Sequence, residues 1–505
     1  MSDTYAIGPT NTDVLLPEPE RSPVHYTLVS VDDHLVEPPD MFDGRLPADL
    51  AAGAPRLVEN ERGHQVWTFD GQIFSQVGMN AVVGRRSEYR SLEPARFEDM
   101  RRGCFDVHAR VADMNLIGCW ASLNFPSQVA GFAGRIFSGC SDPELGHAVM
   151  RAWNDWLYEE WWQQYPERFI PCGITWLSPG PDGTARLGAD EIRRNAERGF
   201  RAVTLPERPH NIGLESLFSG WWDPIIEACV ETDTVIALHV GSSGMYAMPP
   251  AAPALQLGAT LFGQLSLTAC AEWLWSGYPY RFPDLKIAMS EGGIGWVPML
   301  LDRLENVVDR SGYGAGWDLR PAEVLRRNFW YCTIDDPSTI DLYDVIGEDR
   351  IMVEVDYPHG DSTWPDTQTV LKNAWGHLPD HVLRKFCCEN AAHLFRHPLP
   401  DRIVPWARSA ISSEHVSVTR RSVIDSRIVI GRGTRWSKNR RHEPRFSPTS
   451  SIPLVHLMSE SCSTTFPTTC SGSGEPPWSA PVSSASIRLD VATNWPATCA
   501  TPTAR

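Results

Sequence analysis

Residues 29–40 read "VSVDDHLVEPPD" and place Asp32, Asp33, His34 and Glu37 where an apolar run gives way to two prolines. Acids and prolines are the ordinary exit from a strand into solvent. Alternate residues of a strand also point the same way, so Asp32 and His34 together can grip a metal ion while Asp33 turns to the opposite face. Glu37, three residues on, is a candidate to support that pair or to replace one of its ligands. A D-x-H triplet arises by chance in many chains and gains weight only from ligands on other elements.

Asn124, Glu207, His239, Glu291, Asp335 and Asp356 end other apolar runs, and His359 follows Asp356. Two histidines and several carboxylates arriving from separate strands are what a divalent metal requires. Imidazole suits zinc, the expected ion, and carboxylates widen the choice to manganese or iron. Each residue alone has a plainer reading: His239 as a core histidine, Asp356 as a helix cap. Arg208 and His210 could meet a substrate carboxylate, though surface solvation is their default role.

Eight short, near-continuous apolar runs must position these groups, at 27–33, 118–126, 168–176, 200–207, 234–240, 285–292, 328–335 and 350–358. Amphipathic helical patterns lie between most of them, which predicts parallel βα units. Eight units favour an α/β fold of the (β/α)8 TIM-barrel type, whose chemistry collects at the C-terminal strand ends. Residues 35–117 interrupt the rhythm and contain "HQVWTFDGQIF", a hairpin turning at Asp70-Gly71, read as an insertion over the barrel mouth. Trp153, Trp156, Leu157 and Trp161 share one helical face, expected to pack rather than to stack on a ligand.

The domain expectation is a Pro-rich flexible leader over 1–24, a barrel over 25–400 and a tail over 401–505. From 405 on the chain holds 12 Lys/Arg against 6 Asp/Glu and is rich in Ser, Thr and Pro. That composition predicts disorder, and its abruptness is also what a shifted reading frame would give.

A net charge of −17 argues against nucleic acid and anionic membranes as partners. No signal-like start and no long uncharged apolar run is present. The twelve cysteines form no C-x-x-C and several sit inside apolar runs, which fits buried thiols in a reducing cytoplasm.

Taken in order, "VDDHLVEPPDMF", "ADMNLIGCWASLNFPS", "FPDLKIAMSEGGIGWVPMLLDRLE", "EVDYPHGDSTWPDT" and "ENAAHLF" resemble the amidohydrolase-related (amidohydrolase 2) family over residues 26 to 398. That group includes aminocarboxymuconate semialdehyde decarboxylase and the resorcylate-type decarboxylases. The resemblance implies metal ligands at Asp32, His34, His239 and Asp356. It also departs twice: relatives usually carry H-x-H or E-x-H at the first pair, and His-Gly-Gly where this chain has "SEGG" with Glu291.

The expected function is a metal-dependent, non-oxidative decarboxylase of a small aromatic or unsaturated carboxylic acid, with Asp356, Glu291 and His359 as the catalytic candidates. A metal-dependent hydrolase of a C–N, C–O or C–C bond in a small cyclic or aromatic compound is the alternative, because the same ligands serve both. A barrel that merely binds, without metal, is the reading from another class. The resemblance also implies a homodimer acting on a small-molecule substrate.

Overall fold

The strands, numbered in chain order, are β1 Leu28–His34, β2 Arg56–Glu59, β3 Gln65–Phe69, β4 Gln72–Phe74, β5 Cys119–Phe125, β6 Phe169–Ile170, β7 Cys172–Gly173, β8 Ala202–Thr204, β9 Val235–His239, β10 Ile287–Ser290, β11 Phe329–Thr333 and β12 Ile351–Val353. They come from a computed structural model that describes residues 7–9, 12–246, 248–314 and 316–403. The tail expected over 401–505 therefore lies, from residue 404, outside the described residues.

β1 pairs in parallel with β5, and β5 with β6. Pro171 breaks the next strand, so β6 serves one neighbour and β7 takes up parallel pairing with β8. The ladder then runs β8, β9, β10, β11, β12, all parallel. Closure follows just past β12: Asp356 N–H donates to Asp32 O at 2.8 Å and His34 N–H to Tyr357 O at 2.6 Å. Counting β6 and β7 as one position, eight parallel strands close into a (β/α)8 barrel.

Both faces of these strands are covered, and β1, β9, β10, β11 and β12 are buried along their whole length. Outward side chains pack under the helices. Inward ones, including Val29, Val31, Leu123, Ala237 and Met352, form a separate apolar cluster that Leu394 and Phe395 join from the last helix. Helix starts are locally specified. Asp142 caps Pro143–Trp156 by accepting from Glu144 and Leu145 N–H, with proline at the first helical position.

β1 does not keep a simple alternation. Between the pairs Ser30↔Ser122 and Asp33↔Asn124 it advances three residues while β5 advances two. This bulge changes the phase of the strand. Val29 and Val31 face inward, so unbroken alternation would carry Asp33 inward and Asp32 out. The extra residue instead turns Asp32 and His34 into the barrel. Asp33 faces away, accepting from Tyr357 N–H at 2.9 Å and from the Ser122 hydroxyl.

The 35–117 segment contains a three-stranded antiparallel sheet, β2-β3-β4, one strand more than the expected hairpin. Asp70 and Gly71 both have positive φ, 48° and 71°, as a two-residue hairpin turn requires. Val82 and Val83 N–H both donate to Pro358 O at 3.0 Å, which joins this segment to the loop after β12. The segment ends in the helix Val107–Leu116, which leads into β5. Residues 12–24, read from their prolines as a flexible leader, run alongside it. Leu16 N–H donates to Gly84 O at 2.8 Å, Arg86 N–H donates to Val14 O at 2.9 Å, and Val14 is fully buried.

The nine described cysteines are all unpaired and buried. Trp153, Trp156, Leu157 and Trp161 are likewise buried. Two of the indole N–H groups are spent inside the protein, that of Trp153 on Glu37 and that of Trp161 on Asn124 Oδ1. Among the described residues no helix is long and apolar enough to cross a membrane.

Candidate metal centre

Three strand ends deliver the polar cluster. Asp32 and His34 end β1, His239 ends β9, and Asp356 lies just beyond β12. Ligand-capable atoms of Asp32, His34 and His239 lie within 4.8 Å of one another, as do those of His34, Asp356 and His359. His34 belongs to both sets and stands at the centre. Its Nε2 is 3.0 Å from His239 Nε2, 3.4 Å from Asp32 Oδ1 and 3.5 Å from Asp356 Oδ1. Glu291, next after β10, brings Oε2 to 3.2 Å from His239 Nε2, and His359 Nδ1 lies 3.0 Å from Asp356 Oδ1. Asp32, His34, His239 and Asp356 are all at most 1% exposed.

The two carboxylates past strand ends are held in left-handed backbone, φ 60° at Glu291 and 53° at Asp356. Such conformations cost a non-glycine residue about 1–3 kcal/mol and persist where surrounding structure imposes them. Here the restraints are visible. Glu291 N–H donates to Glu354 Oε2 at 3.0 Å, and Asp356 N–H is fixed by Asp32 O.

Electrostatically the cluster lacks a positive charge. Burial pushes His34 well below its usual value, His239 to about 3 and His359 to about 4, so all three imidazoles are neutral. Burial, reinforced by the neighbouring carboxylates, pushes Asp32, Glu291 and Asp356 well above the carboxylate range. His239 Nδ1 donates to Val240 O at 2.7 Å, leaving its Nε2 lone pair aimed at the cluster. None of the four oxygens of Asp32 and Asp356 receives a hydrogen bond. Buried acceptors that converge with no donor between them are the arrangement a bound cation satisfies. The donor set of two imidazoles and two carboxylates suits a divalent first-row metal.

Other predicted residues lie in different settings. Glu37 is buried and accepts from Ser127 N–H at 2.9 Å and Trp153 Nε1 at 3.3 Å, and it belongs to neither ligand set. Glu207 accepts Gly241 N–H at 2.9 Å beside His239's loop, and burial pushes it up to about 7. Arg208 is tied to Glu272 at 2.6 Å, while His210 is 42% exposed. Asn124 is absorbed by Trp161 and Ser122. At the end of β11 it is Asp336, not Asp335, whose carboxylate is engaged, by Thr333 Oγ1 and Ile294 N–H.

Residues the sequence reading passed over complete the surroundings. Arg110, buried on the helix before β5, donates to His34 O and to Gly103 O, and stacks 4.3 Å from the Tyr357 ring. Glu354 could have been found by alternation, two residues before Asp356. No local pattern marks Arg110.

Burial pushes Glu37 up to about 7, so the folded protein keeps a proton there that the unfolded chain releases near 4.5. Its contribution to stability is complete below pH 4.5 and is lost as pH rises through 7. Glu37→Gln keeps an oxygen for Ser127 N–H and cannot ionise. Relative to wild type, the metal-free variant is expected to gain ~3 kcal/mol in going from about pH 5 to about pH 8. Urea unfolding at both pH values measures it, and parallel pH dependences would refute the assignment.

The sequence model of the family described as Amidohydrolase matches residues 86–397. Among solved structures, an amidohydrolase from Mycobacterium avium subsp. paratuberculosis K-10 is 19% identical, covering 74% of this chain and 100% of that one, at a TM-score of 0.58. 5-Carboxyvanillate decarboxylase LigW from Sphingomonas paucimobilis is also 19% identical, with 74% and 100% coverage and a TM-score of 0.50. The apo form of IDCase from Metarhizium anisopliae is 16% identical, with 73% and 97% coverage and a TM-score of 0.50. At these identities the structural likeness establishes the barrel.

Proposed function

The chain belongs to the amidohydrolase family, whose members are metal-dependent enzymes, and from that premise we propose that it is a non-oxidative decarboxylase of a small aromatic or unsaturated carboxylic acid. Asp32, His34, His239 and Asp356 hold a divalent metal, zinc first among the candidates. The observation that carries this reading is the buried convergence on His34 of acceptors without donors. Bound there, the metal supplies a Lewis acid that polarises substrate oxygens.

The chain's own residues manage the proton. Glu291 is buried and surrounded by other carboxylates, which raises its pKa and suits it to act as a general acid. It gives its proton to the ring or vinyl carbon that bears the carboxylate. The bond from that carbon to the carboxylate then breaks, its electron pair stays with the substrate carbon skeleton, and CO2 leaves. Asp356 and His359, 3.0 Å apart, can return a proton to Glu291 from the loop after β12. Val82 and Val83 of the insertion tie down this loop through Pro358 O.

Metal-loaded protein incubated with hydroxybenzoic acids in D2O tests the reading. CO2 release with deuterium at the vacated ring position is expected. Turnover of amides or lactones with no CO2 from any acid would replace the lyase by a hydrolase.

A further inference from the structure

The loop after β5 contains a turn of unusual backbone conformation. Gly131, Ala133 and Gly134 all have positive φ, at 63°, 64° and 75°. Gly131 combines this with ψ 150°, a region open only to glycine, and a Cβ there would come 2.8 Å from Ile136 Cγ1. Ala133 is fully buried in its left-handed conformation. Between these residues the turn presents Phe132 to the metal cluster. The Phe132 ring stacks on His239 at 4.5 Å and 16°, and meets His34 edge-on at 5.6 Å and 67°.

Phe132 is partly exposed and belongs to neither apolar cluster of the described residues. The turn buries Ala133 but leaves Phe132 outside the core. It sets an aromatic ring beside the two imidazoles, with one face on His239 and part of its surface exposed. A flat apolar surface next to a polar centre fixes the orientation of a planar ligand ring by offset stacking.

We propose that Phe132 is a specificity-determining residue: the wall against which a planar substrate ring lies, favouring aromatic over saturated-ring carboxylic acids. This rests on the decarboxylase reading above and assigns a side chain to its substrate class. The Gly131-Phe132-Ala133-Gly134 turn is the device that holds the ring in place.

Equilibrium binding of benzoate and of its saturated counterpart cyclohexanecarboxylate to zinc-loaded protein tests it, with metal content measured on each variant. Wild type is expected to prefer benzoate. Phe132→Leu should weaken benzoate about five- to ten-fold, leave cyclohexanecarboxylate unchanged and keep its zinc. Phe132→Tyr, which retains the ring, should bind benzoate as wild type does. Unchanged benzoate binding in Phe132→Leu overturns the assignment while leaving the decarboxylase reading standing. An equal loss for both acids together with loss of zinc overturns it in favour of a packing role beneath His239. Zinc-replete wild type that binds neither acid overturns the aromatic-acid reading and this assignment with it.

Discussion

His239→Ala protein is expected to keep its barrel and lose its metal, with turnover falling by ~10³ or more. The magnitude follows from removing a Lewis acid worth several kcal/mol of transition-state stabilisation. Of the four proposed ligands, His239 is the one best prepared for the task. Its Nδ1 is committed to Val240 O, which leaves its Nε2 lone pair for the cluster, and the Phe125 ring packs edge-on against it at 4.9 Å. The fold should survive, because the apolar cluster inside the barrel is built from other residues of the strands and from the last helix. Elemental analysis after metal-replete expression, together with circular dichroism, reads both halves. Metal near one per chain in the variant would remove His239 from the site.

The second large effect is at Glu291. Glu291→Gln should lower kcat by ~10² to 10⁴, the range for loss of a general acid, while metal content and KM change little. Glutamine preserves the side chain's length and polarity, and Glu291 N–H keeps its bond to Glu354 Oε2. Only the transferable proton is lost. A group that must be protonated to act gives activity below its pKa and loses it as pH rises through that value. Burial and the carboxylates around Glu291 move its pKa upward. The wild-type profile should therefore extend well above the ordinary carboxylate range before its alkaline fall, and the variant should lack that limb. Undiminished kcat in the variant would pass the role of acid to Asp356 or His359.

The barrel could be read from the chain because parallel strands covered on both faces must be near-continuously apolar, and all eight runs stand out for that reason. Residue types at the strand ends were equally visible. What the sequence concealed was phase. Strict alternation from Val29 and Val31 would have pointed Asp33 into the barrel, and only the bulge in β1 turns Asp32 and His34 inward. A bulge without glycine leaves no local mark.

Contacts distant in sequence were hidden for a related reason. Arg110 reaches His34 O across 76 positions, and nothing in its helical surroundings distinguishes it from a solvated arginine. Glu18 pairs with Arg101, and residues 14–16 bond backbone-to-backbone with residues 84–86. Proline-rich composition reports stiffness and polarity, but it does not report such partners. Phe132 was missed because its meaning lies in three positive φ angles around it, of which only the two at glycine have a signature in the sequence.

The central claim is that one metal ion is held jointly by Asp32, His34, His239 and Asp356. Anomalous diffraction from crystals of zinc-loaded protein tests it most directly. One strong zinc peak bonded to these four side chains is the predicted result. A peak bound by other residues, or zinc-replete crystals with no peak between β1, β9 and β12, would contradict it.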